Sequence, residues 1–259
     1  MLEGYKLPTF STVVLKVLNM LRDKECTMSE IAVELSLDPS LVVSVFKMVN
    51  SSAFGLVHKV NNVSQAVMLL GRARVESIVL SHAVKKALPS VKESWFDIHQ
   101  FWQLAAMRAT LARNFAKMLH PETAISSFTA AMLQDIGMPV LIANKGKDYS
   151  RIYDSWVNGE KDILSLEQET FSTNHQSIGQ AMAETWTFPE YLVNAIGFHH
   201  NSDRVEPAIY LASNIELTNM DSDFEELIEL CRDRYSIPSD KAADVIALAV
   251  KEASTISLG

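Results

Sequence analysis

The chain is 259 residues long, 48% apolar, and carries a formal net charge of −8. That length and apolar content suffice for one large core or two joined lobes and exclude a disordered or fibrous chain, while the negative field works against general affinity for nucleic acid. Two cysteines, Cys26 and Cys231, stand far apart and outside any CxxC spacing, which speaks against a disulfide framework or a cysteine-based zinc site and for a reducing cytoplasm.

The opening residues MLEGYKLPTF lack the charged-then-apolar order of a signal peptide, and no uninterrupted apolar run reaches the roughly 20 residues needed to span a bilayer, so no membrane partner is expected. From Leu7-Pro8 a helix is predicted in which Val13, Val14, Val17, Leu18 and Leu21 make one apolar stripe. Thr27 caps a second over Met28 to Ser36. Asp38-Pro39 opens a third, with Asp as the cap, Pro at the first helical position, and Leu41, Val42, Val45, Phe46 and Val49 facing inward. Asn50 leaves that helix through small polar residues as far as Gly55, and its amide suits the backbone groups freed there. Ser64 is read as the cap of a helix ending at Gly71, followed by one whose apolar face contains His82, a lone histidine best read as a satisfied core residue.

A boundary near residue 90 divides the chain into an N-terminal helical lobe, 1–90, and a second helical lobe with a C-terminal extension, 91–259. In the second lobe Ser94 to Met118 reads as a long amphipathic helix, with Arg108 placed among Phe101, Leu104, Ala105, Leu111 and Phe115. Pro121-Glu122 starts the next, which reaches FTAAMLQDIG, with Gly137 expected to end it in a left-handed conformation. A break at Lys145-Gly146-Lys147 and helices over Tyr149 to Asn158, Ile163 to Phe171, His175 to Trp186, Glu190 to Phe198, Glu206 to Leu217, Asp221 to Asp233 and Ser239 to Ala253 complete an all-α chain. The last two are expected to pack outside the rest. The helix pair across Ile31 to Asn50 would pass for a helix-turn-helix, but its second member offers a single base-reading side chain, Lys47, so no nucleic-acid partner is expected.

Chemistry concentrates at Asp135. A carboxylate at a buried helix end needs a cation, a donor or a metal to offset its desolvation, and His175, His199, His200 and Arg108 are the candidates. Adjacent helical side chains point about 100° apart, so at most one of His199 and His200 is expected to be central unless the helix ends there.

The stretch around Gln134-Asp135 resembles the HD superfamily of metal-dependent phosphohydrolases, whose ligand set runs His…His-Asp…Asp, and more closely its HDOD branch. Asp38-Pro39-Ser40-Leu41, Asn50-Ser51-Ser52-Ala53-Phe54-Gly55 and Ala66-Val67-Met68-Leu69-Leu70-Gly71 match three successive HDOD signatures, and Glu167, His175, Ile178-Gly179, Trp186, Pro189 and His199-His200 continue the match. Ser172 stands where a glycine is usual. The resemblance implies a multi-helix architecture with an HD-like second lobe, and it places Leu104, Gln134 and Ser213 where a histidine, a histidine and an aspartate would be ligands.

With that set reduced to Asp135, no catalytic residue, catalytic metal or cofactor is expected, because a phosphohydrolase needs several anionic or imidazole ligands around its cations. The resemblance implies instead a bacterial signal-transduction module without a fused receiver or enzymatic domain. Such a module works through signalling proteins in trans or a small anionic ligand, at a groove with Asn50, Ser51, Phe54, Arg108 and His200. The alternative is a phosphohydrolase acting on nucleotides or cyclic dinucleotides.

Overall fold

A computed structural model describes residues 9–51, 54, 56–158, 161–216, 220–254 and 256, and every regular element among them is a helix. The chain divides into two compact units, Thr9–Ala87 with the residues from Lys251 on, and Leu88–Val250.

In the first unit, α1 (Thr12–Arg22) begins where the Ser11 hydroxyl accepts the Val14 N–H at 3.3 Å and buries Val14, Val17, Leu18 and Leu21. Its predicted opening at Leu7-Pro8 lies outside the described residues. Thr27 and Glu30 form a reciprocal capping box on α2 (Met28–Leu35), and Asp38 accepts from Ser40 and Leu41 to start α3 (Pro39–Val49). Helix α4 (Val63–Ala87) is broken at Gly71, whose φ of 73° and ψ of 166° suit a residue without a Cβ. The cap of its first half is Asn62, which accepts from Gln65 at 3.0 Å, and not Ser64, because the asparagine carbonyl occupies the position that reaches the free N–H. Just past the break, the Arg72 guanidinium donates to the carbonyls of Met20, Leu21, Asp23 and Cys26, tying α4 to the end of α1. His82 lies between the hydroxyls of Ser40 at 3.0 Å and Ser44 at 3.1 Å, a satisfied histidine as its apolar setting suggested.

The second unit is built on α5 (Ile98–Leu119), started by Asp97 rather than Ser94: the Asp97 carboxylate accepts the His99 N–H at 2.7 Å, so the turn before it stays outside the helix. Leu111, Ala112 and Phe115 of α5 are fully buried against Leu211 and Ala212 of α11 (Pro207–Ser213), with Leu227 and Cys231 of α12 (Met220–Tyr235) and Ala249 of α13 (Ser239–Ala253) in the same core. Full burial of a leucine or phenylalanine is worth about 1.5–3 kcal/mol, so α12 and α13 are part of the core and not an outer layer. The Thr110 hydroxyl, 2.8 Å from the Met107 carbonyl of its own helix, also lies 3.2 Å from the Ala249 carbonyl of α13.

Helices α6 (Ala124–Leu133) and α7 (Gly137–Val157) follow a short 3-10 turn at Pro121–Thr123, and α7 breaks at Gly146 as the Lys-Gly-Lys run suggested. The stretch Pro121–Val157 is long and apolar enough by composition to cross a membrane, contrary to the reading of its sequence; 89% of its apolar window is buried in the fold, so its apolar residues serve the core. Gly137 does not end α6 in a left-handed turn. It opens α7, and its missing Cβ lets the backbone approach α9 (His175–Thr185): a Cβ there would lie 2.0 Å from the His175 carbonyl oxygen. Ser172, after α8 (Ile163–Phe171), is left-handed at φ 55°, which explains why a glycine is usual there.

Candidate functional site

Asp135, His175, His199 and His200 are each placed by a helix end. Asp135 sits in the turn between α6 and α7, where its carbonyl accepts the Met138 N–H at 2.9 Å. His175 is the first residue of α9, which Asn174 caps by accepting from Ser177 at 2.9 Å, and the His175 N–H donates to Glu167 of α8 at 2.8 Å. Helix α10 (Glu190–Phe198) stops just before the double histidine, and the Gln176 amide, turned with its oxygen toward them, accepts the backbone N–H of His199 and of His200 at 3.1 Å each.

Both histidines of the pair follow the last residue of α10, Phe198. Ligand atoms of Asp135, His175, His199 and His200 all lie within 4.8 Å of one another, so the expectation that only one of the pair is central does not hold. The His175 Nε2 lies 3.3 Å from the His199 Nε2, and the two are 3.5 and 3.2 Å from the Asp135 Oδ1. Nδ1 of His175 faces the Glu167 Oε2 at 2.8 Å, and Nδ1 of His199 faces the Ile196 carbonyl at 3.0 Å. Both partners are acceptors, so each Nδ1 carries a proton and each Nε2 points its remaining valence into the cluster.

The other oxygen of Asp135 is paired with the Arg108 guanidinium, whose Nε donates to the Ile215 carbonyl at 2.7 Å. The pairing of Arg108 with the aspartate, which made it a candidate partner in the sequence, is present in the structure. Burial opposes ionisation of Asp135, but Arg108 and then His199 and His175 hold its carboxyl well below the usual range. Burial also disfavours the His175 imidazolium, yet Glu167 outweighs it and raises that histidine's pKa. His199 is lowered by burial, and His200 is lowered well below its usual value by burial and its two histidine neighbours. Tyr149 donates to Glu167 at 2.5 Å and, buried beside that carboxylate, is raised well above its usual value.

The remaining positions are structural. Leu104 lines the small cavity beside Arg108. The Ser213 hydroxyl shares its proton between the His199 carbonyl at 2.9 Å and the Tyr210 carbonyl of its own helix at 2.8 Å, and so packs against the histidine from behind. Gln134 is fully buried and its amide has no hydrogen-bond partner among the described residues. An unmet buried amide costs about 1–3 kcal/mol, so Gln134→Met should raise stability by that order in urea unfolding; a less stable variant would overturn this account. Of the groove candidates, Asn50 grips Val60 through both its amide atoms at 2.8 and 2.7 Å, Ser51 donates to the Met48 carbonyl at 2.8 Å, and the Phe54 ring lies 5.8 Å from the Arg74 guanidinium. These three belong to the first unit; Arg108 and His200 belong to the second. Sequence reasoning did not assign site roles to Glu167, Tyr149 or Glu216. Glu167 was detectable as an acid four residues from Ile163, on the buried face of α8. Glu216 accepts from the Trp156 indole at 2.8 Å beside the same cavity, and burial raises its carboxyl.

The sequence pattern of the HDOD domain matches residues 7–202. The chain belongs to the HDOD family. A protein of uncharacterized function from Treponema pallidum (strain Nichols) is 25% identical over 219 residues, covering 83% of this chain, and the match spans 42% of that relative's length. Among solved structures, an HDOD domain protein of unknown function from Geobacter sulfurreducens superposes with a TM-score of 0.77 at 19% identity, covering 99% of this chain and 95% of that one. A protein named as a candidate phosphohydrolase from Shewanella amazonensis SB2B gives 0.75 at 22%, covering 97% and 95%. One named as a candidate signal transduction protein from Marinobacter aquaeolei VT8 gives 0.70 at 18%, covering 97% of this chain and 63% of that one. At such identities these likenesses establish the HDOD helical fold alone.

Proposed function

We propose that this HDOD chain is a non-catalytic regulatory module of bacterial signal transduction that acts through contacts with proteins in trans, in the cytoplasm. The observation that carries this reading is the narrowness of the HD site. The cavity beside Asp135, His175 and His200 has a volume of about 10 Å³, enough for one water or one ion, and Phe101, Leu104, Met138, Trp156 and Ile163 wall it with apolar side chains. A phosphoryl group with its leaving group needs far more room and an open coordination position for the attacking hydroxide. Arg108 supports the same reading. A two-metal hydrolase shares a bridging carboxylate between its cations, and here the second oxygen of Asp135 is held by a guanidinium.

The test is turnover. The purified chain with added manganese should release no phosphate from nucleotides and cleave no cyclic dinucleotide. Metal-dependent turnover that Asp135→Asn abolishes without loss of fold would overturn the proposal in favour of a phosphohydrolase, the alternative to which the four converging donors lend support.

A further inference from the structure

Three distances in the second unit have the dimensions of a metal's donor set. Asp135 Oδ1, His175 Nε2 and His199 Nε2 form a triangle with edges of 3.2, 3.3 and 3.5 Å. Both imidazoles spend their Nδ1 protons on acceptors outside the triangle, Glu167 and the Ile196 carbonyl. The two Nε2 atoms would thus meet lone pair to lone pair unless a proton or a cation lies between them. Donors about 2.0–2.1 Å from a tetrahedral metal stand about 3.4 Å apart, which is the size of this triangle. His200 adds a fourth ligand atom, with the whole group inside 4.8 Å.

The surroundings are those of metal ligands. A carboxylate behind one imidazole and a backbone carbonyl behind the other fix the tautomers, and the Ser213 hydroxyl and Gln176 amide fix the backbone of the double histidine. The same partners limit the site to one ion. Asp135 cannot bridge, because its Oδ2 is paired with Arg108, and Leu104, Gln134 and Ser213 contribute no ligand. Three imidazoles and one carboxylate suit a borderline transition-metal dication and not magnesium or calcium, which prefer oxygen shells.

We infer that Asp135, His175, His199 and His200 form a closed, mononuclear site for a transition-metal dication of the zinc class, in which Arg108 stands as a fixed cation where a second metal would need the aspartate. With four protein ligands the ion is structural: it ties the α6–α7 turn to the start of α9 and the end of α10.

The experiment uses the full chain without an affinity tag, stripped with a chelator and titrated with Zn²⁺ or Co²⁺ against a chromophoric competitor. One equivalent should bind per chain, the melting temperature should rise with free zinc, and the cobalt form should show the intense visible bands of a four- or five-coordinate ion. His200→Ala, checked for fold by circular dichroism, should weaken binding at least tenfold, and Glu167→Gln should weaken it about 10–100-fold while leaving the stoichiometry at one. No uptake by the stripped parent, two equivalents per chain, or unchanged affinity in folded His200→Ala would each overturn the assignment. If His200→Ala does not fold, paramagnetically shifted imidazole protons in the cobalt-loaded parent count the ligands, and fewer than three histidines overturns it. Turnover by the loaded protein would sink the non-catalytic reading and leave this site standing; absence of metal does the reverse.

Discussion

Gly137→Ala is expected to be among the most damaging single-methyl changes this chain can suffer. The added Cβ would lie 2.0 Å from the His175 carbonyl oxygen and 2.7 Å from the Gly179 nitrogen, both backbone atoms that no rotamer change can move aside. Overpacking by one methyl group costs about 1–3 kcal/mol where side chains can yield, and here α7 or α9 must shift as a body, so a loss at or above the top of that range is expected. The damage is directed at the site: the struck atom belongs to His175, and pushing it away from α7 separates its imidazole from Asp135. Urea unfolding together with cobalt titration checks both parts. A variant with the parent's midpoint would show that the helices do not approach this closely, while a destabilised variant that still binds one metal at full affinity would uncouple the close approach from the site.

Asp135→Ala should cost the chelator-stripped protein about 3–5 kcal/mol, because it leaves a buried guanidinium without its partner. Arg108 is 5% exposed, and its Nε is committed to the Ile215 carbonyl, so it has no route to solvent without breaking another bond. Arg108→Met, which strands the carboxylate instead, should cost a similar amount, moderated by the two imidazoles that remain beside Asp135. The double variant Asp135→Leu with Arg108→Met removes the whole ion pair and should recover much of the loss, since a buried pair replaced by apolar groups of similar volume is often neutral. With Asp135→Leu made alone as well, the double-mutant cycle of the parent, Asp135→Leu, Arg108→Met and the double variant should give a coupling of about 0.5–3 kcal/mol. Strict additivity would mean that the pair carries no energy of its own and that Arg108 packs there for other reasons.

Much of the architecture was legible in the chain itself. The apolar pattern placed α2, α3, α8 and α10 within a residue of their observed bounds, helped at α2 and α3 by Thr27 and Asp38, which each satisfy a local donor; Asp162, which caps α8 in the same way, was not read as a cap. Glycine breaks at Gly71 and Gly146 were equally local, since both are left-handed positions that a run of helix-forming neighbours cannot hide. At two starts the sequence reading fell on a neighbouring side chain, Ser64 where Asn62 caps and Ser94 where Asp97 caps, differences of a few residues between side chains that could each cap.

The sequence by itself determined the all-α class, the position of most helices, the HDOD membership and the loss of the His-Asp pair at Gln134, all of which depend on residue identity and near-neighbour spacing. Only the tertiary structure decided what the surviving residues do. Gly137 looks like a helix stop until α9 is brought against it, and then it is the one residue without a Cβ to collide with the His175 carbonyl. His199 and His200 point apart on an ideal helix, yet in the fold their ligand atoms converge on Asp135 and His175 just past the end of α10. Glu167, Arg108 and Asp135 come from three separate helices or their ends, and their pairing is set by which buried charges meet when those elements pack. A buried charge takes its partner from whatever the fold brings within about 4 Å, and that distance is a property of the folded chain and not of any spacing along it.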